Sequence, residues 1–244
     1  MDKLYIIIPA YNEEENIINV VKSWYPILEK ASKDSKLVII NDGSKDNTQK
    51  ILDSIKNNYP NLVVIEKENG GHGSAVYAGY KYGVDNHADF IFQTDSDMQT
   101  LSSEFDLFWE KRNNFTAVFG YRPTRGDGHD RAFVEKIVCL IVRLFFHTEV
   151  PDANAPFRLF KRETLEKYLK LIDPDYFLPN IILTAFYARS KEKIEFLPIT
   201  FLAREKGEQT INIKKIIRIG FKSLKDFKQY NKRLSNLNRR SDEV

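Results

Sequence analysis

The chain has 244 residues, 42% hydrophobic and 29% charged, which supplies a substantial core and excludes wholesale disorder. Its single cysteine, Cys139, excludes an intrachain disulfide; set among Ile137, Val138, Leu140 and Ile141, it reads as a buried thiol in a reducing, cytosolic setting. The formal net charge is only +3, yet Lys214, Lys215, Arg218, Lys222, Lys225, Lys228, Lys232, Arg233, Arg239 and Arg240 crowd the C-terminal end, which predicts an anionic ligand or surface there.

The opening MDKLYIIIPAYNEEEN enters a strand pattern directly, without a signal-peptide cleavage pattern. No run approaches the roughly 18 to 20 uncharged apolar residues of a membrane span; Ile137 to Phe146 is short and contains Arg143. The expectation is a cytoplasmic protein, at most peripheral at the cytoplasmic face of a membrane. The basic tail lacks interleaved aromatics and a recognised fold motif, so no nucleic-acid partner is expected.

In chain order, Leu4 to Pro9 reads as a buried strand. Glu13 to Ala31 reads as a helix, from Ile17, Val20, Val21, Trp24 and Leu28. Leu37 to Ile40 is a second strand, closed by the turn Asn41-Asp42-Gly43-Ser44, and Asp46 or Asn47 caps a helix to Asn57. Leu62 to Glu66 is a third strand, then come the Asn69 to Gly73 loop and a helix to about Asn86. Phe90 to Gln93 is a fourth strand, ending at Asp95-Ser96-Asp97.

Later come a strand at Ala117 to Gly120, a loop at Arg122 to Arg131 and an apolar helix at Ala132 to Phe146. A strand at Phe157 to Phe160, helices at Glu163 to Leu171 and Asn180 to Ser190, and a strand at Ile194 to Leu202 broken by Pro198 complete the fold. Alternating strands and helices predict one α/β domain with a mainly parallel sheet over residues 1–210. A basic amphipathic helix and tail, 211–244, follow it, with the helix at Ile211 to Leu237. Its apolar residues Ile213, Ile216, Ile217, Phe221 and Leu224 suit packing on the core, and its lysines suit an anionic membrane surface.

In a parallel sheet, ligands bind beyond the carboxyl ends of the strands. Asn12 and Glu13, Asn41 and Asp42, Gly70 to Gly73, and Asp95 with Asp97 all fall there, outlining a nucleotide-sized cleft. Asp95-x-Asp97 is the sharpest element: two carboxylates just past a buried strand can converge on a hard divalent cation, Mg²⁺ or Mn²⁺, and bridge it to a substrate's phosphates.

Three segments carry a resemblance: Ile6-Ile7-Ile8-Pro9-Ala10-Tyr11-Asn12-Glu13-Glu14, Val38 to Thr48, and Asp95-Ser96-Asp97-Met98-Gln99. Together they resemble glycosyltransferase family 2. Gly120-Tyr121-Arg122, Asp127, Arg131, Asp152 ahead of Phe157-Arg158-Leu159, and Arg204-x-x-Gly207 are similar to its polyprenyl-phosphate sugar synthase branch, which includes dolichol-phosphate mannose synthases.

The resemblance implies a GT-A fold and inversion at the anomeric carbon of a hexose from a UDP- or GDP-sugar. It implies that Pro9, Tyr11 and Glu13 border the nucleotide, Asp42 contacts its base, and the loop ending at Gly73 belongs with them. Asp95 lies at the ribose and metal, Asp97 ligates the metal, and Gln99 sits near donor sugar or acceptor. Arg122, Arg131 and Arg204 face the diphosphate or the acceptor phosphate. A polyprenyl phosphate acceptor is already anionic and needs no general base; a saccharide hydroxyl, the alternative, needs one, for which Asp152 is the candidate. Intact Asp95 and Asp97 argue against a nucleotide-sugar binder without turnover. Within Gly70-Gly71-His72-Gly73, His72 suits a phosphate contact or a loop-structuring role, and His129 sits on a flap. Gln209-Thr210 and Asn154-Ala155-Pro156 depart from the branch's pattern and leave the acceptor open.

Overall fold

The computed structural model describes the backbone of residues 1–124, 129–203 and 213–242, and their side chains except those of 129–132, 213–223 and 240–242. Seven strands form one sheet: β1 (Leu4–Ala10), β2 (Lys36–Asn41), β3 (Leu62–Glu66), β4 (Phe90–Thr94), β5 (Ala117–Tyr121), β6 (Phe157–Lys161) and β7 (Ile194–Pro198). Their order is β3-β2-β1-β4-β6-β5-β7. β1 pairs in parallel with β2 and β4, β2 with β3, and β5 with β7. Only β6 runs against its neighbours β4 and β5. The carboxyl ends of β1, β2, β3 and β4 therefore lie along one edge.

The helices are α1 (Ile17–Trp24), α2 (Thr48–Ile55), α3 (His72–Asp85), α4 (Phe105–Lys111), α5 (His129–Phe146), α6 (Arg162–Leu169), α7 (Pro179–Arg189) and α8 (Ile213–Asp242). They cover both faces, so the central strands are apolar on both sides. The two-residue period of a strand divides β1 between two cores. Leu4, Ile6 and Ile8 join Val20, Trp24, Phe105 and Phe108 on one face. Tyr5 and Ile7 join Val76, Tyr80, Phe186 and Phe227 on the other. A Cβ at Gly79 of α3 would strike the Ile7 side chain, so this glycine lets the helix lie directly on the sheet.

Several elements differ from the sequence expectation, among them α5, which begins at His129 and so makes the end of the expected Arg122 to Arg131 loop helical. The helix expected from Glu13 to Ala31 is α-helical only over α1 and continues as a 3₁₀ helix at Tyr25–Lys30, because Pro26 lacks the N–H and crowds the preceding turn. α4, with Phe105, Phe108 and Trp109 inward, was not anticipated; its seven residues are too few for a clear period. The last strand stops at Pro198 instead of reaching Leu202. α8 extends to Asp242 and is anchored through buried Phe227, Tyr230 and Leu234. Leu224 is only half-buried, and the other apolar side chains expected to pack it lie outside the described residues.

Candidate active site

The loops after β1 and β2 are tied together. Asn12 has a positive φ of 54°, uncommon for a residue with a Cβ; its N–H donates to Ser44 Oγ (3.0 Å) and its Oδ1 accepts from Lys45 N–H (2.8 Å). The Glu13 N–H donates to Thr48 Oγ1 (2.8 Å) and the Glu14 N–H to Asp46 Oδ2 (3.0 Å). Asp46 Oδ1 accepts from the Thr48 N–H at 2.9 Å, so Asp46, not Asn47, satisfies the first turn of α2. This stitching sets Tyr11, 43% exposed, beside buried Pro9 and Glu13. Glu13 accepts from Asn16 Nδ2 at 2.7 Å.

Asp42, 2% exposed, organises the turn before α3. Its Oδ1 accepts from Lys67 Nζ (2.7 Å) and the Gly70 N–H (3.0 Å), and its Oδ2 from the Gly71 N–H (2.8 Å). Gly71 has φ 85°. A Cβ at Gly73 would collide with the carbonyl of Tyr176, so that glycine permits the first turn of α3 to pack on the 176–177 backbone.

Asp95 and Asp97, both half-buried, follow β4. Asp95 Oδ1 accepts from Gln93 Nε2 at 3.0 Å and lies 3.8 Å from His72 Nε2. Asp97 Oδ1 accepts from the Gln99 N–H at 3.1 Å across Met98, whose φ is 59°; such a left-handed residue marks a turn whose shape is imposed by its surroundings. Gln99 is buried and couples the loop to the segment after β7: its Nε2 donates to Leu202 O (2.6 Å), and the Leu202 N–H returns a bond to Gln99 O (2.8 Å). A cavity of about 390 Å³ opens beside Asp97, lined partly by Asn16, Asn19, Ser23, Thr100 and Ser102.

Two half-exposed carboxylates on one short loop suit a hard divalent cation that takes its remaining oxygens from substrate and water. Among the described residues no group of three His, Cys, Asp or Glu side chains forms a closed metal site.

Behind Asp95 lies a buried polar chain. Gln93 Oε1 accepts from Asn180 Nδ2 (3.1 Å), and Tyr80 Oη donates to Asn180 Oδ1 (2.8 Å). Arg158, 1% exposed, donates to Asn180 O (2.8 Å), Thr184 Oγ1 (2.7 Å), Ala153 O (2.8 Å) and Ala155 O (2.7 Å). The 153–155 loop is thereby fixed to α7.

Arg122, expected to face phosphates, is inside a second cluster. Its Nε donates to Asp152 Oδ2 (2.8 Å), one terminal nitrogen to Asp152 Oδ1 (3.0 Å) and Glu135 Oε2 (3.3 Å), and its guanidinium lies 5.0 Å from the Phe201 ring. Asp152 also accepts from the Asn154 N–H at 3.0 Å. Burial pushes the Asp152 carboxyl up, but the Arg122 hydrogen bonds and charge outweigh it and hold the group below the usual carboxylate range. Glu135, whose Oε1 accepts from the Ala153 N–H at 2.8 Å, goes the other way. Burial and the adjoining Asp152 charge push it up to about 7.

Glu135 was not singled out by sequence reasoning, and Arg158 entered only within the Phe157-Arg158-Leu159 motif, with no role assigned. The available signal was a charged residue inside an apolar segment, Glu135 in Ala132 to Phe146 and Arg158 in Phe157 to Phe160. The side chains of Arg131 and His129, and all of Arg204, lie outside the described residues.

With the geometry in view, comparison with known proteins gives a consistent result. The sequence profile of "Glycosyl transferase family 2" matches residues 5–169. An undecaprenyl-phosphate 4-deoxy-4-formamido-L-arabinose transferase of Proteus mirabilis is 24% identical over 222 residues, 90% of this chain and 66% of that protein. Its counterpart in Shewanella sediminis is 26% identical over 91% of this chain and 65% of its own length. The chain thus spans about two thirds of these relatives. Among solved structures, the glucosyl-3-phosphoglycerate synthase of Mycobacterium tuberculosis, in complex with Mn²⁺ and UDP-glucose, aligns over 93% of this chain and 79% of its own, with a TM-score of 0.67 at 15% identity. That likeness bears out the α/β architecture, with GT-A-like neighbours, that the sequence led one to expect.

Proposed function

The chain belongs to glycosyltransferase family 2, and on that footing we propose that it moves a hexose, with inversion, from a UDP- or GDP-linked donor to a polyprenyl phosphate. The observation that carries the choice of acceptor is the state of Asp152. Both of its oxygens accept from Arg122, and its carboxyl sits below the usual range, so it is a poor proton acceptor for a sugar hydroxyl. A phosphate monoester is anionic near neutral pH and needs no base. The names of the curated relatives, undecaprenyl-phosphate sugar transferases, favour the same acceptor class.

In this reading Pro9, Tyr11 and Glu13 flank the nucleotide, and Asp42 shapes the β3–α3 turn that receives it. Asp95 and Asp97 hold Mg²⁺ or Mn²⁺, which supplies Lewis-acid stabilisation of the departing diphosphate. The Mn²⁺ complex of the fold neighbour supports a divalent ion. Gln93 orients Asp95, and Gln99 joins the metal loop to the segment leading to Arg204. Arg131 and Arg204 are the arginines assigned to the phosphates, and Arg122 positions Asp152.

The test is a screen of UDP- and GDP-hexoses with Mg²⁺ or Mn²⁺, with and without polyprenyl phosphate, following release of nucleoside diphosphate. Release that depends on the lipid phosphate is expected. Release that depends on a saccharide acceptor, with polyprenyl phosphate inert, would overturn the acceptor assignment.

A further inference from the structure

We propose that the outer face of α5 is a membrane-docking surface that seats on an anionic bilayer beside the candidate active site. The inference rests on the polyprenyl-phosphate reading only for its biological purpose; the surface is argued from α5 itself. Phe133, Ile137, Leu140 and Leu144 are 66%, 41%, 53% and 62% exposed. Their spacing of four, three and four residues makes a single stripe on a helix. The other exposed positions between them, Lys136 and Arg143, are basic, and His147 follows the helix on the same side. Among the described side chains of this helix the acid is Glu135, and it is turned inward to Arg122 and Ala153; the side chain of Asp130, in the first turn, lies outside the described residues. Glu149, just past the helix, pairs with Arg143 at 3.2 Å, but both are exposed, so that contact competes weakly with an anionic headgroup.

An apolar stripe flanked by cations is the composition of a helix lying in the plane of a membrane interface. α5 does not cross a bilayer: no described helix is long and apolar enough. A second copy of the chain is the poorer occupant. A single stripe of four side chains is small against the roughly 800 Å² per partner of a stable interface, and a symmetric pairing would bring Lys136 and Arg143 towards their own counterparts. Position favours the bilayer as well. The inner face of the same helix carries Glu135, one turn from Cys139, in contact with the Arg122–Asp152 pair. A lipid phosphate presented at the outer face is therefore one helix diameter from the site.

α8 supplies the second attraction. Its apolar residues Phe227, Tyr230 and Leu234 are consumed in the core, leaving Lys225, Lys228 and Lys232 exposed. Charge alone gives salt-sensitive attraction; insertion of the α5 stripe supplies a component that salt does not screen.

The experiment compares the native chain with Ile137→Gln/Leu140→Gln/Leu144→Gln and with Lys136→Gln/Arg143→Gln. Each is sedimented with phosphatidylcholine vesicles containing phosphatidylglycerol, at low and high salt. The triple variant is expected to lose at least about tenfold in partitioning, equivalent to about 1.4 kcal/mol, at both salt levels. The charge variant should lose only the salt-sensitive part. All three should turn over a short-chain, water-soluble prenyl phosphate equally, and circular dichroism with single Leu140→Gln checks that folding is intact. Equal vesicle binding by native and triple variant, or no binding by native protein, overturns the proposal. So does a native dimer that the triple variant converts to monomer, which would assign the stripe to a second copy. Stripe-dependent vesicle binding without turnover of the short-chain acceptor would leave the surface standing and sink the acceptor reading instead.

Discussion

Replacing Arg158 by methionine tests whether the buried polar chain behind Asp95 is held by hydrogen-bond geometry or by charge. The guanidinium is enclosed, and the partners it bonds are neutral: the carbonyls of Ala153, Ala155 and Asn180 and the Thr184 hydroxyl. Burial lowers its pKa from the ordinary value. In Arg158→Met the Thr184 hydroxyl, with one proton, still faces Ala153 O at 3.0 Å and Asn180 O at 2.9 Å, so it covers one of them. Ala155 O loses its arginine donor outright. Orphaned buried acceptors cost about 1–3 kcal/mol each, and relief from burying a guanidinium offsets part of that. A net loss of about 3 kcal/mol is expected in urea unfolding followed by tryptophan fluorescence, with the slope against denaturant unchanged. Arg158→Lys should cost more than Met, since it keeps a buried charge while giving up the planar fork. A lysine variant as stable as the native protein would refute the reasoning, because charge and not geometry would then be the requirement.

Asp97→Ala should abolish metal-dependent binding of UDP or GDP while lowering stability by no more than about 1 kcal/mol, the value of one turn hydrogen bond; calorimetric titration across Mn²⁺ concentrations checks it, and unchanged affinity removes the metal assignment. Asp42→Ala removes the acceptor for Lys67, Gly70 and Gly71. It should cost about 2 kcal/mol and weaken nucleotide binding without changing metal preference; lost stability with native affinity would make Asp42 a loop anchor only. Glu135, raised in the folded state to about 7 from an ordinary 4.5, holds a proton that the unfolded chain has released. Its contribution is therefore present below pH 4.5 and lost as pH rises towards 7. Glu135→Gln should flatten that decline in a series of unfolding midpoints, and an unchanged slope would place the titration elsewhere.

The strands, the mainly parallel sheet and the Asp95–Asp97 loop were legible because each depends on local pattern: apolar runs, turn residues and connections too long for a hairpin; the strand order and the reversal of β6 were not. What escaped depends on tertiary contact. Nothing in Phe157-Arg158-Leu159 says that Arg158 donates to the Asn180 carbonyl 22 residues away on α7. Asp42 and Gln99 were read as ligand contacts, yet within the fold each also ties two loops together, through Lys67 and Gly70 in one case and Leu202 in the other. Arg122 was expected at a phosphate because the family resemblance implies it; its carboxylate partners lie 13 and 30 residues downstream, beyond the reach of spacing arguments.

α5 joins these observations through its register. Glu135, Cys139, Val142 and Phe146 recur every four, three and four residues, facing the Arg122–Asp152 pair or the core. Phe133, Ile137, Leu140 and Leu144 repeat the same spacing two residues earlier. At about 100° per residue, that offset sets the two stripes on opposite sides of one helix. A helix serving only the core would place polar residues where the second stripe stands, since leaving four large apolar side chains in water forgoes about 1.5–3 kcal/mol for each one that could be fully buried. Inner and outer faces are each explained if the helix packs against the site on one side and against a bilayer on the other. Moving the stripe by one residue would break both relations at once, carrying Glu135 out of reach of Arg122 and Phe133 towards the core.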